Sequence, residues 1–238
     1  LNGGPVFSPN PSISFFVNCT ESAEVDRYWN ALEPEGEALM PLDRYPFSQR
    51  YGWVEDKYGV SWQLFLSENP ISQEIMSCLL FVGERCGRAE EAMKFYADVF
   101  GESRVVQTSR YGEGNGPNDP NHLNYGEVVL QGYHLVVMDS ALDHHFGFTE
   151  GVSLIVDCRD QAEVDHYWER LSAVPEAEAC GWVKDRFGVS WQVIPRELYE
   201  LIGDGEGEGA QRVMAAMMPM KKLDIEVLRR AAAAPRRA

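Results

Sequence analysis

The sequence predicts an α+β protein of three related modules, each of roughly sixty residues, with helices packed outside curved mixed sheets. Two repeats carry that reading. Tyr51-Gly-Trp-Val-Glu-Asp-Lys-Tyr-Gly-Val-Ser-Trp-Gln-Leu64 returns as Cys180-Gly-Trp-Val-Lys-Asp-Arg-Phe-Gly-Val-Ser-Trp-Gln-Val193, in each case two β-like runs hinged on a charged turn closed by Gly. The same helix precedes both copies, as Ala23-Glu-Val-Asp-Arg-Tyr-Trp29 and Ala162-Glu-Val-Asp-His-Tyr-Trp168.

Taken in order, residues 1–11 are turn-forming and rich in Gly and Pro, and Ile13–Val17 is a strand. Val25, Tyr28, Trp29 and Leu32 then stand at i, i+3, i+4 and i+7, an apolar helical stripe stopped by Glu33-Pro34-Glu35-Gly36. Ala38–Met40 reads as a short strand and Pro41–Arg50 as a loop. Ala23 and Ala162 are offset by 139 but Gly52 and Gly181 by 129, so the first copy carries ten extra residues between helix and hairpin. The first hairpin is followed by a linker, 69–74. Ile75–Val82 is an apolar strand. Ala89, Ala92, Met93, Tyr96, Val99 and Phe100 form a second helical stripe closed by Gly101. Val105–Ser109 is a strand, Tyr111–Asn121 a Gly/Pro-rich loop or lid, and Asn124–Leu130 with Tyr133–Met138 a hairpin on Gln131-Gly132. After a loop bearing His144-His145 the repeat resumes: strand Val152–Val156, helix Ala162–Leu171, hairpin Trp182–Ile194. A helical turn at Glu197–Ile202, a Gly/Glu linker at 203–209 and short helices at Gln211–Met218 and Leu223–Ala233 end the chain.

Composition excludes several function classes. Hydrophobic residues make up 45% and mean hydropathy is −0.31, values of a globular protein, and no run reaches the eighteen apolar residues of a membrane span. A formal net charge of −16 repels phosphate backbones, so nucleic acid is not an expected partner, nor is a membrane. Lys221-Lys222, Arg229-Arg230 and Arg236-Arg237 form a basic tail that reads as a solvated helix end. Five cysteines without CxxC spacing point to reduced thiols and a cytoplasmic address, and disfavour zinc.

Strand, helix and strand meander in such units resemble the βαβββ module of the vicinal oxygen chelate superfamily, which includes glyoxalase I, bleomycin-resistance proteins and extradiol dioxygenases. Cys86-Gly-Arg-Ala-Glu-Glu-Ala-Met-Lys-Phe-Tyr96, Val99-Phe100-Gly101, Ser109-Arg-Tyr-Gly112, Met138-Asp139 and the second hairpin are similar to its PhnB-like branch, often labelled 3-demethylubiquinone-9 3-methyltransferase. The resemblance covers nearly all of residues 1–200. It implies glyoxalase-like half-barrels, each of two modules closing a cup. On that basis 75–196 is a complete domain (modules 75–140 and 150–196), and 1–68 is an orphan second module of a tandem form lacking its first. Residues 197–238 form a helical tail. The orphan sheet is expected to be covered by a second subunit, in a homodimer.

The resemblance also locates the expected site. Chelating members place His, Gln or Glu on the first strand of each module and Glu or Gln on the last. Those positions correspond here to Ser12, Ser77 and Gly151, to Gln63 and Gln192, and to Met138-Asp139. None of the first-strand residues is a His or a carboxylate. The expected ligand-binding set is therefore Gln192 and Trp191 framing the cup, Asp139 at its mouth, Tyr111 on the lid loop, and Gln63. Trp191 and Gln192 alternate on the strand, so only Gln192 is expected to point inward. His134, His144 and His145 are neighbours able to substitute, while His122 and His166 have no partner in sequence. No resident cofactor is expected, with a divalent metal as the alternative. An S-adenosylmethionine site needs a Gly-rich turn between a parallel strand and a helix; the Gly203–Gly209 stretch follows a helix and is laced with Glu. The expected function is small-molecule binding without a standard metal site. The alternative is a metal-dependent lyase, isomerase or dioxygenase. Methyltransferase chemistry is not expected.

Overall fold

The computed structural model describes residues 6–203 and 205–234; the first five residues, Asp204 of the Gly/Glu linker and the Arg236-Arg237 pair lie outside the described residues. The elements run β1 (Ile13–Cys19), α1 (Ser22–Leu32), β2 (Glu37–Tyr45), β3 (Ser48–Glu55) and β4 (Ser61–Leu66). They continue with β5 (Ile75–Val82), α2 (Ala89–Phe100), β6 (Arg104–Arg110), β7 (Leu123–Leu130) and β8 (Tyr133–Ser140). Last come β9 (Leu154–Cys158), α3 (Gln161–Leu171), β10 (Trp182–Lys184), β11 (Ser190–Pro195), α4 (Glu197–Ile202), α5 (Glu208–Met217) and α6 (Ile225–Ala233). The α+β class is as the sequence predicts, while the stretch from β9 to β11 has one strand fewer than the two before it. The chain divides into two compact units, Leu1–Val152 and Ser153–Ala238.

In the first unit eight strands form one sheet in the order β2-β3-β4-β1-β5-β8-β7-β6. Within each module the first and last strands are parallel, β1 with β4 and β5 with β8. The modules meet at an antiparallel seam between β1 and β5, where Ser14 lies opposite Cys78 and Phe16 opposite Met76. Residues 1–68 and 75–140 therefore share a sheet, whereas the sequence reading groups 75–140 with 150–196. The first strands of the two repeated modules are close relatives, and a sequence pattern alone does not say which one takes the edge of β5.

Both helices cover one face. The stripe of α1 (Val25, Tyr28, Trp29, Leu32) packs on Val17, Cys19 and Leu64. On α2, Ala92, Met93, Tyr96 and Val99 are buried. A Cβ added to Gly126 would lie 3.4 Å from the Met93 sulfur and 3.1 Å from Val137, which puts α2 on the Val137 side of β8. Burying side chains of this size contributes about 1.5–3 kcal/mol each. By alternation, Ser14 and Phe16, Tyr51, Gln63 and Phe65, Met76 and Cys78, Tyr125 and Glu127, and His134, Val136 and Met138 face away from the helices.

Pro41–Arg50, read from sequence as a loop, is largely strand. It forms the end of β2, the turn and the start of β3, with β-bulge irregularities along the pair. Since β2 is the sheet's edge, Pro41 removes no necessary ladder bond. This strand accounts for the ten extra residues. The second copy has in its place a 3-10 turn at Pro175–Ala177 and an isolated bridge between Ala179 and Trp182.

In the second unit β10-β11-β9 form a three-stranded sheet with β9 at its edge. Val164, Tyr167, Trp168 and Leu171 of α3 are buried. Leu198, Val213, Leu223 and Leu228 of the tail close over Ile194. Its cations meet acidic partners: Lys221 reaches Glu178 at 3.0 Å, Lys222 reaches Asp165 at 2.6 Å, and Arg229 reaches Glu197 at 2.5 Å.

Candidate functional site

The repeated hairpin turn is locked by its own aspartate. Asp56 accepts from the Tyr58 and Val60 amides at 2.9 and 3.0 Å and from the Trp62 indole N–H at 3.0 Å. Asp185 repeats this with the Phe187 and Val189 amides at 2.8 and 3.0 Å and the Trp191 indole at 2.8 Å. A carboxylate taking three N–H donors holds the turn and pins the indole. Trp191 is accordingly buried, with its one polar atom committed to Asp185.

The first unit's face opposite the helices carries two polar chains. In the first, the Tyr51 hydroxyl donates to Gln63 Oε1 at 2.8 Å, and Gln63 Nε2 donates to the Ser14 hydroxyl at 2.8 Å. Cys78 stands across the seam from Ser14, its thiol pushed up to about 12 by burial against the pull of hydrogen bonds from Ser14 and Gln63. Burial also raises the Tyr51 phenol well above its ordinary value. In the second chain, the Tyr125 hydroxyl donates to Glu127 Oε2 at 3.0 Å while Glu127 Oε1 lies 2.5 Å from His134 Nδ1. Burial, and then the adjacent Glu127 carboxylate, hold the Tyr125 phenol far above its ordinary range. Phe16 lies near both chains, its ring 5.9 Å from Tyr125 and 5.4 Å from Phe65, with Met76 and Val136 packed beside it. Gln73 of the linker accepts the His134 amide at 2.9 Å and fixes that strand's end.

Of the residues expected from sequence, Gln63 lies on this face. Asp139 and Tyr111 come together elsewhere, on the helix side. Asp139 Oδ1 accepts from the Gly87 and Ala89 amides at 2.7 and 3.1 Å, Oδ2 accepts from the Leu123 amide at 3.1 Å, and the Tyr111 hydroxyl donates to the Asp139 carbonyl at 2.7 Å. Burial raises the Asp139 pKa against those three amide bonds. Gln192 belongs to the second unit, where it donates to the Ser153 hydroxyl at 2.8 Å and lies in register with Trp182 and Ile155. Among the histidines, His134 joins Glu127. His144 Nε2 lies 2.8 Å from the Ser140 hydroxyl, and His122 Nδ1 is 3.6 Å from Cys86 Sγ. The sequence reading missed Glu127 and the tyrosines Tyr51 and Tyr125. A signal was present for Glu127: the hairpin on Gln131-Gly132 brings Val129 opposite His134, and alternation then puts Glu127 beside it on the same face.

The donor set does not suit a hard divalent cation. The strand positions where the resemblance places ligands carry Ser12, Ser77 and Gly151, the amides of Gln63 and Gln192, and Met138-Asp139, whose carboxylate is already held by three backbone amides, and among the described residues no three His, Cys, Asp or Glu side chains converge. A methyl donor's carboxylate would seek a helix N-terminus after a strand. At α2, which follows β5 through Gly83 and Gly87, the Asp139 carboxylate already accepts the Gly87 and Ala89 amides. Among the described residues no helix is long and apolar enough to cross a membrane.

The family model described as 3-demethylubiquinone-9 3-methyltransferase matches residues 1–65 and 73–194. A PhnB protein of Bacillus cereus, described under the same family name, is 34% identical over 52% of this chain and 99% of its own, with a TM-score of 0.44. A protein of Pseudomonas aeruginosa is 22% identical over 50% of this chain and 93% of its own, at a TM-score of 0.40. A glyoxalase I variant of Zea mays is 11% identical over 82% of this chain and 72% of its own, at a TM-score of 0.46. Among curated proteins none matches. With the family model covering most of its length, the chain belongs to the 3-demethylubiquinone-9 3-methyltransferase (PhnB-like) family.

Proposed function

We propose that this PhnB-like protein binds a small, partly aromatic molecule on the first unit's face opposite the helices, without a resident metal. One observation carries the reading. Two polar chains, Tyr51–Gln63–Ser14 and Tyr125–Glu127–His134, stand among Phe16, Phe65, Met76 and Met138. Apolar walls with a few fixed donors and acceptors are the usual makeup of an orienting small-molecule site. Methyl transfer is not part of this reading, and the Asp139 carboxylate on the Gly87 and Ala89 amides supports leaving it out. Five free thiols favour a reducing, cytoplasmic setting, and the net charge of −16 disfavours nucleic acid.

A second reading rests on Glu127 and His134. A carboxylate paired with an imidazole can move a proton, so a lyase or isomerase acting on the bound molecule is the competing function. A thermal-shift screen with small phenols, quinones and α-ketoaldehydes tests binding. Hits are expected to shift the wild-type melting point and to lose that shift in Tyr125→Phe. Assay of each hit for chemical change, with Glu127→Gln as the control, separates the two readings, and metal analysis of protein purified without chelator or His tag tests the metal-free part. Stoichiometric, tightly held metal would overturn the metal-free one.

A further inference from the structure

Strand β2, which accounts for the extra residues of the first copy, ends in Tyr45 and turns through Pro46-Phe47 into β3. Tyr45 and Phe47 stack, their ring centroids 5.5 Å apart and their planes at 17°. Both make T-shaped contacts with Tyr51, at 5.6 and 5.0 Å. The Tyr45 hydroxyl donates to the Pro41 carbonyl at 2.9 Å, which fixes the ring that Phe47 lies on. From Tyr51 the row of rings continues to Phe65 at 6.5 Å, from Phe65 to Phe16 at 5.4 Å, and from Phe16 to Tyr125 at 5.9 Å. Tyr51 heads the first polar chain and Tyr125 the second, so one run of rings joins both.

The fold does not require these rings. The second copy keeps the Gly-Trp-Val hairpin and the Gln–Ser bond at 2.8 Å, yet carries Cys180, Ile194 and Ile155 where the first has Tyr51, Phe65 and Phe16. Residues 172–181, which stand in place of β2, include no aromatic side chain. At the outer end of the first unit's row, Phe47 is 56% exposed although one of its faces lies on Tyr45. A bare ring at the end of a stack is unfavourable in water, and a second flat ring on its free face would remove that surface and extend the stack.

We infer that Phe47 selects a flat aromatic ring in the ligand, which stacks on its free face while Tyr45 supports it from behind. The ligand's polar end then points along the row toward Tyr51, Gln63 and Ser14. This rests on the reading that the face binds a small molecule, and it narrows the ligand to a planar conjugated ring system bearing a hydroxyl or carbonyl. A saturated ring of the same size has no π face to offer Phe47.

Calorimetric titration with 2-naphthol and with its fully saturated decalin alcohol tests this. The wild type is expected to prefer 2-naphthol. Phe47→Ala is expected to weaken 2-naphthol about fivefold and to leave the saturated alcohol within about twofold, so the preference collapses. Phe47→Trp is expected to retain it. Circular dichroism and melting point of Phe47→Ala are expected to match the wild type, because the side chain is exposed. A preference unchanged in Phe47→Ala overturns the inference, as does an equal loss for both probes or a wild type without the preference. Weakening of 2-naphthol in Tyr125→Phe but not in Phe47→Ala would keep the ligand face and remove the role of Phe47. If neither probe binds while the wider screen gives hits, this inference alone falls; no hits at all would overturn both.

Discussion

The Gln63 side-chain amide donates to the Ser14 hydroxyl at 2.8 Å, tying the last strand of the first module to its first strand. Gln63 also accepts from Tyr51, so one amide serves two hydroxyls on a face where Gln63 and Ser14 are each 2% exposed. A buried polar group deprived of its partner costs about 1–3 kcal/mol.

Gln63→Ala strands the Tyr51 and Ser14 hydroxyls together and is expected to lower stability by about 3 kcal/mol in urea unfolding. Its repeat equivalent Gln192 makes one such bond at a half-exposed position, and Gln192→Ala is expected to cost about 1 kcal/mol. Equal losses, or the reverse order, would contradict the difference in burial described for the two copies.

Much of this was legible in the sequence. The alternation and stripes of the modules gave strands and helices close to those observed, because each packs one apolar face and the period reports it. The second half of β2 was hidden because an edge strand tolerates Pro41 and bulges, which read as loop. The pairing of modules was hidden for a different reason: β1 and β9 carry the same kind of pattern, and strand partner choice is a tertiary property. Gln63, singled out through the resemblance, lies on the face proposed for the ligand. Asp139 was singled out too, but it lies on the helix side with its carboxylate occupied by backbone amides, a role that sequence position cannot distinguish from ligand binding. Trp191 was expected to frame the site; in the structure the indoles of Trp62 and Trp191 bond the aspartates of the repeated Asp-x-x-Gly-Val-Ser-Trp turn.

Thiol chemistry separates the cysteines. Burial pushes Cys19, Cys78 and Cys158 up to about 12, so at pH 8 almost none of each is thiolate and all three are sheltered. Cys86, partly accessible, is also raised, by burial and then by Asp139. Cys180 is partly accessible as well. An aromatic disulfide reagent at pH 8 is expected to titrate Cys180 first and Cys86 more slowly. The other three should stay silent until denaturant is added. More than two thiols reacting in the native state would show that the buried strand cysteines are open to solvent.

The Asp–Trp lock makes the most demanding prediction, because it concerns coupling rather than loss. Asp185 is 1% exposed and takes three N–H donors, so Asp185→Ala leaves two turn amides and an indole without their acceptor and is expected to cost about 3 kcal/mol or more. Asp56 holds the same bonds at a less buried turn, and Asp56→Ala should cost less. Trp191→Phe removes the indole donor while keeping an aromatic ring in the core. If the indole N–H spends its bond on Asp185, the double variant is less destabilised than the two single losses added together, with a coupling of about 1–3 kcal/mol. Urea unfolding of the four proteins measures it. Strict additivity would mean that Trp191 and Asp185 do not act together, and the repeated turn would need another explanation for its tryptophan.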